Sequence, residues 1–233
     1  MTPSPVTLIT GGSSGIGAAV ARRLLSQGHR VAITGRDHSR LERLTASLGG
    51  PEDLLALAAD ASDYQAVQSA VDATAREFGR LDVVVANAAF GTTGDLADGD
   101  PAEWREMVLT NVLGPALLIK AALPELKRTR GRIVLVGSVA GLVASRGNLY
   151  GATKWAVTGL AENTRLMVTG DGIGVTLVSP GRVETPFWDI HGGPPDGDIL
   201  SADQLADAIV WAISQPTGVD VNTVTVRPIG AAL

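Results

Sequence analysis

The chain of 233 residues contains no cysteine. This absence excludes disulfide bonds, thiolate catalysis and cysteine-ligated metal sites. Its only histidines, His29, His38 and His191, are far apart in the sequence. They lack the spacing of metal ligands, so we expect no metal site.

Charge is also scarce, since charged residues make up 18% of the chain and the formal net charge is −5. This balance does not favour nucleic acid as a partner. Residues 1–5 contain neither a basic segment nor a long apolar segment, so no secretory signal is expected. No apolar run reaches the roughly 18 residues of a membrane span. We therefore expect a cytoplasmic protein without a membrane partner.

Hydrophobic residues, in contrast, make up 45% of the sequence. A chain of this length and composition suffices for one large α/β domain with a buried core. Short apolar, β-branched runs alternate with helical patterns along the chain. The predicted strands are residues 6–10, 30–34, 54–58, 81–86, 133–136, 172–178 and 219–226. The alternation predicts a single domain, 1–233, built on a doubly wound parallel sheet of Rossmann type flanked by helices.

A glycine-rich turn follows the first predicted strand and opens the first helix. It reads Thr10-Gly11-x-x-x-Gly15-x-Gly17. Backbone N–H groups and the positive end of the helix dipole converge at such a turn, which predicts a phosphate site. Ala18 stands where a Walker loop needs lysine, and the glycine spacing is not G-x-G-x-x-G. The alternative is a flexible Gly/Ser turn.

Tyr150 and Lys154 stand four residues apart in a helix predicted over residues 149–167, so they share one helix face. A tyrosine normally titrates near ~10, and a cation about 4 Å away at an effective dielectric constant of ~20 contributes about 4 kcal/mol. We therefore expect the ammonium to lower the pKa of the phenol toward neutrality, where the phenol can exchange a proton in catalysis. The alternative is an incidental pair on an exposed helix.

These motifs, with Ser138 twelve residues before Tyr150, resemble the short-chain dehydrogenase/reductase family. The resemblance runs from the glycine-rich turn to the C-terminus and implies hydride transfer between a nicotinamide cofactor and a carbonyl or secondary alcohol. It implies that Tyr150 donates the proton, that Ser138 polarises the carbonyl, and that Lys154 lowers the phenol pKa and holds the ribose. Asn111 matches an asparagine that holds a relay water for the active-site lysine; its alternative is a helix-interior amide bonded to backbone.

The end of the second predicted strand, Gly35 and Arg36, distinguishes between two cofactors. An acidic side chain there binds the ribose 2′-OH of NAD, whereas an arginine accommodates the 2′-phosphate of NADP. We therefore predict NADP(H), with NAD(H) as the alternative cofactor and a solvated surface charge as the alternative role of Arg36. The neighbouring Asp37 is interpreted as a helix-start residue.

The resemblance implies further cofactor contacts. Asp60 would meet the adenine amino group or, as the alternative, cap the next helix; Asn87 would line the cofactor. The Val183 backbone and the Thr185 hydroxyl would contact the nicotinamide carboxamide. The predicted cofactor residues are Thr10, Gly11, Ser13, Ser14, Gly15, Ile16, Gly17, Arg36, Asp60, Ala61, Asn87, Ala88, Tyr150, Lys154, Pro180, Gly181, Val183 and Thr185. Ala89 replaces the family's usual glycine, so we expect a slightly reshaped loop.

Residues 186–200 are aromatic at one end and rich in glycine and proline at the other, which predicts a substrate lid. Phe187 and Trp188 are interpreted as substrate-covering residues, with structural packing as the alternative. Arg146 is a candidate partner for a substrate carboxylate, with a solvent-facing role as the alternative. The predicted substrate residues are Phe90, Leu142, Ser145, Arg146, Phe187 and Trp188.

A basic cluster, Lys127, Arg128, Arg130 and Arg132, ends the helix before the fifth strand. Cations favour the negative end of a helix dipole, so a local role is expected. The alternative is a dock for an acidic carrier protein that bears the substrate.

The family resemblance implies a small-molecule carbonyl or alcohol as substrate and a homodimer or homotetramer as the assembly. Three functions remain open: a ketone or aldehyde reductase, a dehydrogenase of the 3-hydroxy-acid type, and a catalytically silent NADP(H)-binding regulator or scaffold. The complete set Asn111, Ser138, Tyr150 and Lys154 favours an enzyme, because a pure sensor does not need an activated phenol.

Overall fold

The computed structural model describes residues 4–50 and 52–230. Residues 1–3, part of the N-terminal stretch without signal features, lie outside them. The strands are β1 Val6–Thr10, β2 Arg30–Gly35, β3 Leu54–Ala58, β4 Val83–Ala86, β5 Arg132–Val136, β6 Gly174–Pro180 and β7 Thr223–Val226. They form one sheet in the order β3-β2-β1-β4-β5-β6-β7, and all neighbouring strands are parallel. The predicted doubly wound parallel sheet is confirmed.

Helices cover both faces of this sheet. They are α1 Gly15–Ser26, α2 His38–Ser47, α3 Tyr64–Phe78, α4 Pro101–Val108, α5 Gly114–Thr129, α6 Leu149–Val168 and α7 Ala202–Ile213. One core cluster joins the sheet to α3, α5 and α6, and the other joins it to α1, α2 and α7. Because both faces are buried, the central strands are continuous apolar runs rather than alternating ones.

Helices α4 and α5 are joined without a break by a π-helical turn, Leu109–Leu113. The combined helix, Pro101–Thr129, is long and apolar enough to cross a membrane, but half of its most apolar stretch is buried inside the protein. Leu118, Ala122 and Leu126 belong to the core cluster on this face of the sheet. Packing against the sheet therefore accounts for its composition.

The basic cluster before β5 makes its contacts within the chain. Lys127 Nζ lies 2.9 Å from Asp171 Oδ2. Arg128 pairs with a glutamate one helical turn away, and Arg132 donates three hydrogen bonds to backbone carbonyls of the loop before β7. These contacts favour the local role of the cluster over a docking surface for a carrier protein.

Three predicted strands, 81–86, 172–178 and 219–226, begin a few residues too early, and two of them have an aspartate near the predicted start. The carboxylate of Asp82, just before β4, accepts the backbone N–H of Val6 at 2.9 Å. Likewise, Asp220, before β7, accepts the backbone N–H of Val175 at 2.9 Å. Each aspartate thus ties the segment before its strand to a neighbouring strand through its side chain.

We expect Asp82→Asn to lower the free energy of unfolding by about 1–3 kcal/mol, because Asp82 also binds Arg80 through both carboxylate oxygens, at 2.6 and 2.8 Å. Urea unfolding followed by circular dichroism measures the loss. Asp53→Asn is the matched control, since Asp53 pairs with Arg30 at an exposed site and should contribute less than about 1 kcal/mol. Equal losses in the two variants would contradict the anchoring role of Asp82.

Candidate active site

A cleft of about 1040 Å³ runs along the carboxyl ends of the strands. Its walls are the glycine-rich turn after β1, the loops after β2, β3, β4, β5 and β6, and the first turn of α6. The strand order reverses between β1 and β4, so the cleft lies at the topological switch point of the sheet. Ligands of open α/β sheets bind at this point.

The turn after β1 approaches the end of β4 too closely for side chains at two of its glycines. Gly11 has a φ of 64°, and a Cβ on it would lie 2.8 Å from the Cα atom of Ala88. A Cβ on Gly17 would collide with the carbonyl oxygen of Gly11. Asn87 holds this approach, since its Nδ2 donates to the carbonyl oxygens of Thr10 and Gly11, each at 3.0 Å. The turn is therefore a fixed structure and not a flexible linker.

The N-terminus of α1 opens into this turn without a side-chain cap. Ser14, at the N-cap position, makes no capping hydrogen bond. Side chains of Asp, Asn or Ser cap the starts of α2, α3, α4, α6 and α7. The first N–H groups of α1 are thus available to an anion, and with the close glycine packing they fit the pyrophosphate of a dinucleotide.

The loops after β2 and β3 bring Arg36 and Asp60 to the same end of the cleft. Burial alone would raise the pKa of Asp60, but two hydrogen bonds from Ser62 and the charge of Arg36 outweigh it and lower that pKa below its ordinary value. Asp37 accepts the backbone N–H of Arg40 at 3.1 Å and caps α2, in agreement with its interpretation as a helix-start residue.

The start of α3 is capped by Asp63, whose carboxylate accepts two backbone N–H groups. Asp60 therefore does not fill the alternative role of helix cap. Its carboxylate remains on the wall of the cleft, where a ligand can reach it.

Phe90 was predicted to contact the substrate, but its ring lies against Arg36. The guanidinium carbon of Arg36 is 5.9 Å from the ring centroid. The Phe90 backbone is fixed by Asn111, whose Oδ1 accepts its N–H at 3.0 Å and whose Nδ2 donates to its carbonyl oxygen at 2.8 Å. Phe90 therefore lines the cleft beside Arg36.

The side chain of Asn111 is committed to protein partners. Besides its two bonds to Phe90, Nδ2 lies 3.2 Å from the hydroxyl oxygen of Thr153, and the residue is buried. The geometry matches the alternative of an amide bonded to backbone. A relay water at this residue would therefore have to use its backbone carbonyl rather than its side chain.

Ser138, Tyr150 and Lys154 all line the cleft. Ser138 follows β5, and Tyr150 lies in the first turn of α6, two residues after the N-cap Asn148. Lys154 Nζ donates to the carbonyl oxygen of Val136 at 3.0 Å and lies 5.7 Å from the centroid of the Tyr150 ring. The three side chains are thus brought together from one strand end and one helix.

Burial dominates the electrostatics of the tyrosine–lysine pair. It raises the pKa of Tyr150 to about 12, although a hydrogen bond with Ser138 opposes the rise. It also lowers the pKa of Lys154 to about 8. The expected lowering of the phenol pKa was wrong, because it treated the pair as surface charges and omitted the desolvation of both groups.

The loop after β6 closes over the glycine-rich turn. A Cβ on Gly15 would lie 3.1 Å from the Cβ of Thr185, so the two segments are in direct contact. Thr185 then caps a short 3₁₀ helix, Pro186–His191. Within it, Trp188 Nε1 donates to the carbonyl oxygen of Val183 at 2.8 Å, which ties the start of the predicted lid to the cleft wall.

The predicted cofactor residues line the cleft except Thr10 and Gly17. These two are buried behind it; the Thr10 hydroxyl oxygen accepts the backbone N–H of Asn87 at 3.2 Å. Their contribution is therefore to the shape of the turn.

The predicted substrate residues separate into two groups. Phe90, Phe187 and Trp188 line the cleft. Leu142, Ser145 and Arg146 do not, and both Ser145 and Arg146 are exposed, in agreement with the alternative of a solvent-facing arginine.

Several residues that line the cleft were not predicted from the sequence. They are Gly91, Thr92, Val139, Ala140 and Asn148, whereas Ile190 and His191, which also line it, belong to the predicted lid. Of these, only Gly91 could have been identified from the sequence, because a glycine in the loop after a strand indicates that another segment approaches closely. The others are ordinary residues whose position depends on how the loops fold.

Comparison with known proteins gives consistent matches. The family model for short chain dehydrogenases matches residues 5–191. An uncharacterised oxidoreductase of Staphylococcus epidermidis is 34% identical over 228 residues, which cover 96% of this chain and 97% of the relative. An alcohol dehydrogenase of Thermococcus sibiricus, solved with 5-hydroxy-NADP, is 30% identical with a TM-score of 0.89 over 99% of both chains. A serine dehydrogenase solved with NADP+ is 28% identical with a TM-score of 0.91, covering 98% of this chain and 96% of its own.

The lowered pKa of Lys154 predicts how stability changes with pH. Between the folded pKa of about 8 and the unfolded value of 10.5, the folded state binds fewer protons than the unfolded state. Stability therefore rises with pH across this window, and the full cost of the buried ammonium, about 3 kcal/mol, is present below it.

We expect Lys154→Met to be more stable than the wild type at pH 7, and this advantage to shrink by about 2 kcal/mol on going to pH 9.5, because the wild type then loses its buried charge. Urea unfolding at both pH values measures the difference. Lys127→Met is the control, since Lys127 is half-exposed and its difference from the wild type should change little with pH. An advantage that grows with pH would contradict the assignment.

Proposed function

The chain belongs to the short-chain dehydrogenase family of oxidoreductases, and we propose that it transfers a hydride between NADP(H) and a carbonyl compound or secondary alcohol. One observation carries the proposal: Ser138, Tyr150 and Lys154 line the same cleft as the uncapped N-terminus of α1. A phosphate-binding helix start and a buried phenol within one cleft are what hydride transfer with proton transfer requires.

NADPH, when bound, supplies the hydride. Tyr150 donates the proton to the carbonyl oxygen, and Ser138 holds that oxygen by a hydrogen bond. A phenol with its pKa raised to about 12 is protonated at neutral pH, so the acid role in carbonyl reduction suits it. Lys154, with its pKa lowered to about 8, is close enough to neutrality to resupply the proton.

The preference for NADP(H) rests on the end of β2. Arg36 lines the cleft there, where the 2′-phosphate of the cofactor would lie. The nearby carboxylate of Asp37 caps α2 and pairs with Arg40, so both of its oxygens already have partners within the chain. The related alcohol and serine dehydrogenases, which were solved with 5-hydroxy-NADP and NADP+, support the same preference.

We further propose that residues 1–233 act as one domain, with 186–200 as the substrate lid, and that the protein forms a homodimer or homotetramer. Trp155, Leu166 and Met167 of α6 are large apolar side chains with 47–63% exposure. Apolar side chains exposed in this number along one helix are typical of a protein interface.

Tyr150→Phe should lower kcat by about 100-fold or more, because it removes the proton donor, and should leave NADPH affinity within about threefold. The rate is followed by loss of NADPH absorbance over a panel of ketones and aldehydes, and affinity by NADPH fluorescence. Tyr64→Phe is the control, since Tyr64 lies on α3 and contacts Gln68.

Retention of more than a tenth of the wild-type kcat in Tyr150→Phe would refute the acid role. A wild-type protein that binds NADPH tightly yet reduces no carbonyl and oxidises no alcohol would favour the silent regulator instead.

Arg36→Ala should lower kcat/KM for NADPH by about 10- to 100-fold and leave kcat/KM for NADH nearly unchanged, because only NADPH carries the phosphate that the guanidinium binds. Arg43→Ala is the matched control, since Arg43 is exposed on α2 and does not line the cleft. A wild-type kcat/KM with NADH equal to or above that with NADPH would contradict the cofactor assignment.

A further inference from the structure

An aromatic wall stands directly beside the candidate proton donor. The ring of Phe187 lies 5.2 Å from the ring of Tyr150, centroid to centroid, and 5.2 Å from the ring of Trp188 in an edge-on arrangement. His191 completes the wall, with its ring 6.0 Å from Phe187. Apolar ring faces therefore border the space in which the reacting carbonyl would lie.

Phe187, the central residue of this wall, packs against Gly91 in the loop after β4. A Cβ on Gly91 would lie 3.0 Å from Cζ of Phe187 and 3.8 Å from Cδ2 of Tyr150. The missing side chain at Gly91 thus allows the ring to lie between the loop after β4 and the phenol. Even an alanine at this position would require the ring to shift by a few tenths of an ångström.

Two cationic side chains that line the cleft, Lys154 and Arg182, already donate to backbone carbonyl oxygens of the chain. Lys154 is buried and donates to Val136, and Arg182 donates to the carbonyl oxygen of Asp196 at 2.9 Å. Arg146, the candidate carboxylate partner, lies outside the cleft. A carboxylate next to the reacting carbonyl would therefore be desolvated against the rings of Phe187 and Trp188, which disfavours its binding relative to an uncharged group.

On the basis of the proposed function, we infer that the substrate is an uncharged ketone whose carbonyl bears an aromatic substituent that packs against Phe187 and Trp188. The carbonyl carbon gains the hydride as NADPH is oxidised to NADP+, and the carbonyl oxygen gains the phenol proton, so the product is the aryl-substituted alcohol. This assignment disfavours the alternative of a 3-hydroxy acid.

The charge preference is tested with methyl phenylglyoxylate and phenylglyoxylate, which share a skeleton and differ in one negative charge. Their kcat/KM ratio is divided by the ratio of their rates with sodium borohydride at the same pH, which removes the difference in intrinsic reactivity. We expect a corrected ratio of about 10 or more in favour of the ester. A corrected ratio of one or below would overturn the inference.

The aromatic preference is tested with methyl phenylglyoxylate and methyl pyruvate. Phe187→Ala should lower the preference for the phenyl substrate by about fivefold, because the ring contact is lost. Gly91→Ala should lower it as well, by displacing the ring while leaving Phe187 in place. Trp211→Ala is the control, since Trp211 is an exposed aromatic residue on α7 that does not line the cleft.

An unchanged phenyl preference in Phe187→Ala, with Trp211→Ala as active as the wild type, would overturn the role of the wall. These failures differ from failure of the proposed function. If the enzyme reduces the acid better than the ester and still requires Tyr150, only the substrate class is wrong. If it oxidises NADPH neither with the three compounds nor with a wider panel of carbonyl compounds, the proposed function itself is wrong.

Discussion

The close approach of the turn after β1 to the end of β4 is the constraint on which the rest of the site depends. Asn87 bridges the two segments by donating to the carbonyl oxygens of Thr10 and Gly11. The glycines at positions 11 and 17 leave room for this contact, which a Cβ at either would prevent. The start of α1 is thereby fixed with its N–H groups facing the cleft, and the switch point of the sheet becomes an anion site rather than a filled core.

Burial is the second constraint, and it acts against the stability of the folded chain. Lys154 is an ammonium with 3% exposure that lies next to a phenol with a raised pKa. Desolvation destabilises the charged form of both groups, so the pKa of Tyr150 rises and that of Lys154 falls. A protonated phenol beside a lysine that titrates near neutrality is a poor arrangement for stability but a suitable one for proton transfer, as is common at functional sites.

The sequence was sufficient for the sheet and for the residues of short-range motifs. Seven apolar runs predicted seven strands, because a strand buried on both faces leaves a local pattern. The sequence was not sufficient where the outcome depends on packing between distant segments. The ring of Phe90 lies beside Arg36 because Asn111, 21 residues away, holds its backbone. The phenol pKa likewise depends on burial by several loops, which spacing along a helix does not reveal.

The cleft is divided by charge along its length, and this division links cofactor and substrate recognition. Arg36 and Asp60 line the end formed by β2 and β3, and the N-terminus of α1 opens into the cleft after β1. Together they suit a phosphorylated nucleotide. Phe187 and Trp188 gather at the other end, seated by Gly91 and by the carbonyl oxygen of Val183. The tyrosine stands at the boundary. Ligands that together are charged at one end and apolar at the other would be oriented by the protein before any chemistry occurs. NADPH with a neutral aryl ketone is such a pair.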